Sequence, residues 1–256
     1  MLAFDSTGHG KDAVVVLLHG WPLNRSIWSV VAPRVAAAGF RVLAPDLPGF
    51  GDSPPIDFGR ATVEAYAEEV AKFIEPFKAR TLAVAGHSFG GYVALALAER
   101  HPNAVAGLGL IASRTAADSE TARRGRHDTI EKIRAAGVKT LLPGLAEKLV
   151  GPRAAVEWRL QAALMIERAR PDGVMTALAA MAARPDRTGL FDSFAGPRLV
   201  IHGTEDGLIP VSEAARVGRS PPDVRVILDG IGHLPMWEAP EATAHAVISW
   251  ANSLRR

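Results

Sequence analysis

The chain has 256 residues, 48% of them hydrophobic and 22% charged, a balance that excludes a largely disordered chain and suits one large domain or a domain with an insertion. Its 29 basic residues nearly cancel its 27 acidic ones, so charge gives no sign of a nucleic-acid binder, and the one dense basic cluster (Arg123, Arg124, Arg126 and His127) reads as a solvated helix face or turn. The absence of cysteine excludes disulfides, thiolate metal sites and a cysteine nucleophile. No uncharged apolar run is long enough to span a bilayer, and the polar, Gly-rich start at 1–11 lacks the apolar core of a signal peptide. The expectation is a cytoplasmic protein without a membrane partner.

In chain order, 2–5 reads as a short first strand at a sheet edge, with little sequence before it for another. Apolar runs at 13–18, 40–44, 81–85, 105–111, 198–201 and 224–228 read as buried strands. Continuous rather than alternating apolarity suits a parallel sheet covered on both faces. Helical patterns at 26–38, 63–77, 92–100 and 241–254 separate or follow them. This alternation predicts a three-layer α/β fold with a mostly parallel central sheet. It stops after Ile111, and 115–190 reads as helical, with segments at 129–136, 138–149, 154–168 and 173–183. Pro143, Pro152, Pro171 and Pro185 punctuate that block, because proline cannot continue a helix from its interior. The block is far longer than one crossover needs, so it is expected to be an inserted helical cap, with 1–114 and 191–256 forming the core.

Gly86-His87-Ser88-Phe89-Gly90-Gly91 lies between a predicted strand and a predicted helix. A Gly-x-Ser-x-Gly turn in that setting pushes the serine hydroxyl into a cleft, so Ser88 is the candidate nucleophile. A hydroxyl needs a neighbouring base. Of eight histidines, His233 follows the strand at 224–228, in a loop where ligands bind in open α/β sheets. His245 falls in the terminal helix, and His9, His101 and His127 fall in polar loops or helix ends. His202 ends a strand near the site, and His19 is expected to shape a loop. The base needs an orienting carboxylate, and Glu205 and Asp206 both follow the strand at 198–201; spacing does not separate them. Asp229 is close to His233 in sequence only. Trp21 and Phe89 are the expected backbone N–H donors to a developing oxyanion, since Gly20 lets the chain turn an amide inward.

Five ordered motifs, His19-Gly20-Trp21-Pro22, Asp46 to Ser53, Gly86 to Gly91, Gly203 to Asp206 and Gly232 to Pro235, resemble the α/β-hydrolase superfamily. The resemblance is to its small bacterial carboxylesterases and its 3-oxoadipate enol-lactonase-like branch. It implies Asp206 as the acid, a structural role for the loop of Asp46 and Asp52, and a triad of Ser88, Asp206 and His233. Serine at position 88 separates the chain from the haloalkane dehalogenases and epoxide hydrolases, which carry aspartate there. No carboxylate stands at Ala112, Ser113 or Arg114, where some relatives place the acid. The implied activity is hydrolysis of a small-molecule carboxylic ester or lactone through an acyl-enzyme, with no cofactor and no metal. Carbon–carbon hydrolysis, perhydrolysis, lactam opening, cyanohydrin cleavage and non-catalytic ligand binding are the alternatives on the same scaffold. Leu160, Leu164, Met165, Met175, Leu178 and Met181 make the block at 115–190 apolar and are read mainly as its core. Arg114 is read as an exposed loop arginine, with a substrate carboxylate as the alternative partner. The oligomeric state is left open.

Overall fold

The computed structural model describes residues 1–10, 13–215 and 223–255. Its strands are β1 (Phe4–Thr7), β2 (Ala13–Leu18), β3 (Arg41–Pro45), β4 (Thr81–His87), β5 (Gly107–Ile111), β6 (Arg198–Gly203) and β7 (Asp223–Leu228). They form one sheet in the order β1-β3-β2-β4-β5-β6-β7. β1 runs antiparallel to β3, and the other pairings are parallel. β1 lies two residues later than expected. Leu2 is buried in the core, and Ala3 spends its N–H on Ser53 Oγ and its carbonyl on Asp46 N–H, so neither joins the ladder.

Every residue of β2 is buried, which is why its sequence shows no alternation. Successive side chains still point to opposite faces. Val14, Val16 and Leu18 enter one core with α2 (Val63–Ile74) and α3 (Phe89–Arg100). Ala13, Val15 and Leu17 enter the other, with α1 (Val31–Ala37) and, near the chain end, α11 (Pro240–Asn252). These are the three layers.

Between β5 and β6 lie α4 (Glu120–Ala136), α5 (Leu142–Leu149), α6 (Val156–Arg168), α7 (Pro171–Ala183) and α8 (Thr188–Ser193). α4 and α7 share the first core through Ile130, Ile133, Val174 and Leu178, whereas α5 and α6 share the second through Leu149, Ala162 and Ile166. α9 (Val211–Ala215) follows β6, and α10 (Pro235–Glu238) precedes α11. No described helix is long and apolar enough to cross a membrane.

Several helix boundaries differ from the expected ones. The pattern at 26–38 breaks into a 3₁₀ turn, Arg25–Trp28, and α1. Asn24 Oδ1 accepts from Ser26 N–H and Asp46 accepts Arg25 N–H, which fixes a tight turn in place of an α start. α4 begins at Glu120 rather than 129, because Ser119 Oγ caps the Ala122 N–H. His127 therefore lies inside a helix. The pattern at 138–149 splits into a 3₁₀ turn, Val138–Leu141, and α5, which kinks at Pro143 and at Gly144 with φ of 83°. Asp46 is fully buried and knits its loop together, accepting from Arg25 N–H at 2.8 Å and Asp52 N–H at 2.9 Å.

Candidate active site

The turn from β4 into α3 is set by close approaches of backbone. Ser88 has φ 49° and ψ −114°, a left-handed conformation that costs a non-glycine residue about 1–3 kcal/mol. Its surroundings hold it there. Ser88 N–H donates to Ile111 O at 2.9 Å, and Ser88 O accepts from Gly91 N–H at 2.9 Å and Ser113 Oγ at 2.8 Å. A Cβ on Gly86 would lie 2.1 Å from Gly90 carbon, and one on Gly90 would lie 2.6 Å from Leu18 O and His19 O. Both glycines are thus required by space. Ser88 sits half-buried at the N-terminus of α3, where the helix dipole favours negative charge.

Asp206 and His233 come from the loops after β6 and β7. His233 Nδ1–H donates to Asp206 Oδ2 at 2.7 Å, and both side chains are fully buried. With Nδ1 protonated, His233 Nε2 carries a lone pair. That nitrogen is buried and has no hydrogen-bond partner among the described residues. Asp206 Oδ1 accepts from Leu208 N–H at 2.8 Å and Ile209 N–H at 2.9 Å. Burial pushes the Asp206 carboxyl up, but His233 and the hydrogen bonds from His202, His233 and Ile209 outweigh it and hold it well below the usual carboxylate range. Glu205 is exposed, and its N–H donates to Ile231 O. Asp229 accepts from Thr204 Oγ1.

Phe89 follows Ser88 directly in the chain, and Gly20, the residue before Trp21, packs against it. A Cβ on Gly20 would lie 2.4 Å from His87 Nδ1 and 3.1 Å from Ser88 Cβ, so the chain just before Trp21 presses on the serine. Trp21 precedes Pro22 through a cis peptide, and its indole N–H donates to Val174 O of α7 at 3.1 Å. Phe89 is the first residue of α3, where an N–H has no intrahelical acceptor. His19 is fully buried and shapes the loop. Its Nδ1–H donates to Gly20 O and its Nε2 accepts from Leu47 N–H, while burial pushes its pKa down. His202 is fully buried beside Asp206 and donates Nε2–H to Ile209 O at 2.8 Å. His245 is exposed on α11.

Two residues near His233 escape a reading of motifs. His87 fills the variable place before Ser88, yet its Nε2–H donates to His233 O at 2.8 Å, with the two rings 4.8 Å apart. Burial pushes its pKa well below the ordinary value, so it stays neutral. A histidine inside an otherwise apolar buried strand needs a hydrogen-bond partner, and that was its signal. Glu238 accepts from Gly232 N–H at 3.1 Å and, across the chain, from Gly151 N–H at 2.8 Å.

Two readings of arginine are corrected. Arg114 is half-buried, with 21% of its side chain exposed, and pairs with Asp118 at 2.7 Å. Arg126 turns from the solvated face of α4 to the same carboxylate, as does the buried Arg184 at 2.8 Å. Asp118 is fully buried, and a carboxylate there needs such partners. Arg124 keeps the solvated position, pairing with Glu120. Leu160 and Leu164 are exposed on α6 rather than packed, whereas Met165, Leu178 and Met181 are buried.

A strained serine, a buried histidine–aspartate pair and a parallel sheet define the class. A family model for the alpha/beta hydrolase fold matches residues 13–240, and the chain belongs to that family. Within it, the chain is 34% identical over 270 residues to a pimeloyl-[acyl-carrier protein] methyl ester esterase of Sodalis glossinidius, spanning 98% of this chain and 97% of the relative. A relative of the same description in Aromatoleum aromaticum is 34% identical over 251 residues, spanning 90% and 94%. The malate-bound structure of a thermophilic esterase from Thermogutta terrifontis superposes with a TM-score of 0.93 at 34% identity, covering 100% of this chain and 94% of that one. An esterase from Exiguobacterium antarcticum shares the fold at 19% identity, with a TM-score of 0.86 over 98% and 95% of the two chains.

Proposed function

We propose that the chain is a carboxylic ester hydrolase that works by acyl transfer through Ser88, His233 and Asp206. The observations that carry this reading are a serine at φ 49° in the turn after β4 and a buried imidazole whose Nδ1 is engaged and whose Nε2 has no partner among the described residues. Ser88 Oγ attacks the ester carbonyl while His233 Nε2 takes its proton. The Trp21 and Phe89 N–H groups receive the oxyanion, aided by the N-terminus of α3. His233 then protonates the departing alcohol, and a water repeats the sequence on the acyl-enzyme. Asp206 keeps the imidazole in the required tautomer and stabilises its charged form. Residues 115–190 act as a cap over the site. The relatives' descriptions suggest the finer substrate, the methyl ester of a pimeloyl group on an acyl-carrier protein, and the family likeness equally accommodates lactones.

The test is hydrolysis of p-nitrophenyl esters of increasing acyl length, with methyl esters of dicarboxylic acids, by the wild type and by Ser88→Ala. Removing the nucleophile is expected to lower kcat by about a millionfold. Equal activity in the two proteins, or none in either on all esters, overturns the reading.

A further inference from the structure

Asp206 orients the His233 ring, but the ring can only be as well placed as its backbone. That backbone is held by side chains. His87 takes the His233 carbonyl. Glu238 takes the amides on both sides, Gly232 N–H at 3.1 Å on Oε2 and Leu234 N–H at 3.4 Å on Oε1. The same Oε2 accepts Gly151 N–H at 2.8 Å, from the chain between α5 and α6. The two backbones touch at this point, since a Cβ on Gly232 would lie 2.2 Å from Gly151 N. Trp158 of α6 also stacks on Trp237, at 5.2 Å between centroids and 22° between planes. Glu238 makes no ion pair among the described residues, and burial pushes its carboxyl up against the pull of the three amides and His233. Glu238 is half-buried, and a carboxylate that spends its oxygens on three amides rather than on an ion pair is a costly way to satisfy them.

We infer that Glu238 is a positioning residue for the ester-cleaving reaction, fixing the backbone on both sides of His233 and tying that loop to the cap at Gly151. The inference rests on His233 being the base. It makes the cap part of the support of the base: a cap that shifts at Gly151 moves the amide that shares an oxygen with Gly232.

The test compares wild type, Glu238→Met, Glu238→Gln and Ser88→Ala on p-nitrophenyl acetate, with active sites counted by a fluorophosphonate. Glu238→Met keeps the side chain's length and removes every acceptor. It should lower kcat per active site by about 100-fold, the usual cost of a misplacement near 1 Å, with KM changed less than about threefold. Its downfield imidazole N–H resonance, from the His233–Asp206 hydrogen bond, should shift or broaden. Glu238→Gln keeps one acceptor oxygen and should restore most of the rate. A folded Glu238→Met protein with a lowered melting temperature but wild-type kcat and an unmoved resonance overturns the inference. If that variant does not fold, Glu238→Gln decides, because its amide group faces the Leu234 N–H and should still cost a few-fold in kcat; an unchanged rate and resonance there also overturn it. Activity surviving in Ser88→Ala would instead remove the nucleophile, and with it the acyl-transfer reading on which the role of His233 rests.

Discussion

Asp206 keeps its charge in a buried site without a permanently charged partner among the described residues. Two backbone amides and an imidazole N–H saturate its oxygens, and His202 Nε2 stands 3.2 Å from Oδ2. Asp206→Asn keeps the shape but turns an amide toward His233 Nδ1, favouring the wrong tautomer, and kcat should fall by about 10⁴-fold with KM little changed. The folded-state carboxyl lies below its ordinary value of 3.8, so its ionised form favours the fold. That contribution is complete above 3.8 and is lost as pH falls through the lower folded value. The gap in melting temperature between wild type and Asp206→Asn should therefore narrow on acidification below 3.8, and a constant gap contradicts the assignment. Ser88 and His233 were legible in the sequence because glycine spacing and chain order carry them. Glu205 and Asp206 were not separable by spacing, since the difference is which way a loop turns. His87 and Glu238 act through hydrogen bonds to backbone groups, and no motif in the sequence marks such a bond.

At the level of elements, the elbow between β4 and α3 depends on space more than on hydrogen bonds. Gly86→Ala puts a methyl group 2.1 Å from Gly90 carbon, and neither backbone can retreat without moving a strand or a helix. It should destabilise the protein by about 2–3 kcal/mol and lower the melting temperature accordingly. The start of the α4 block depends on charge. Asp118→Ala leaves Arg114, Arg126 and Arg184 facing one another, with Arg184 fully enclosed. Removing the central partner of a buried cluster should cost about 3 kcal/mol, read from the urea midpoint, and a loss below about 1 kcal/mol would mean water reaches the cluster. The sequence shows the two features unequally. Gly86 and Gly90 stand in a fixed pattern, whereas Asp118 meets Arg184 only because α7 packs on α4. The split of the 26–38 pattern was hidden for the same reason, as it depends on Asp46 in a distant loop.

Across the whole molecule, the central strands β2 to β6 were the most legible feature, because strands buried on both faces announce themselves as unbroken apolar runs, whereas β7, also expected to be buried, exposes Arg225 and Ile227 at the sheet edge. The edge strand β1 was harder to place: two of its four residues are exposed, and its register comes from pairing with β3. The sheet order has one further consequence. The strand that leads to the proposed nucleophile, β4, pairs with β2 and β5, both in the first half of the chain, while the proposed acid and base follow β6 and β7 near the end. A chain emerging from the ribosome is exposed N-terminal part first. On the proposed mechanism, Ser88 therefore leaves the ribosome before His233, its base, and the growing polypeptide stays chemically silent until its last quarter has been made and joined to the sheet.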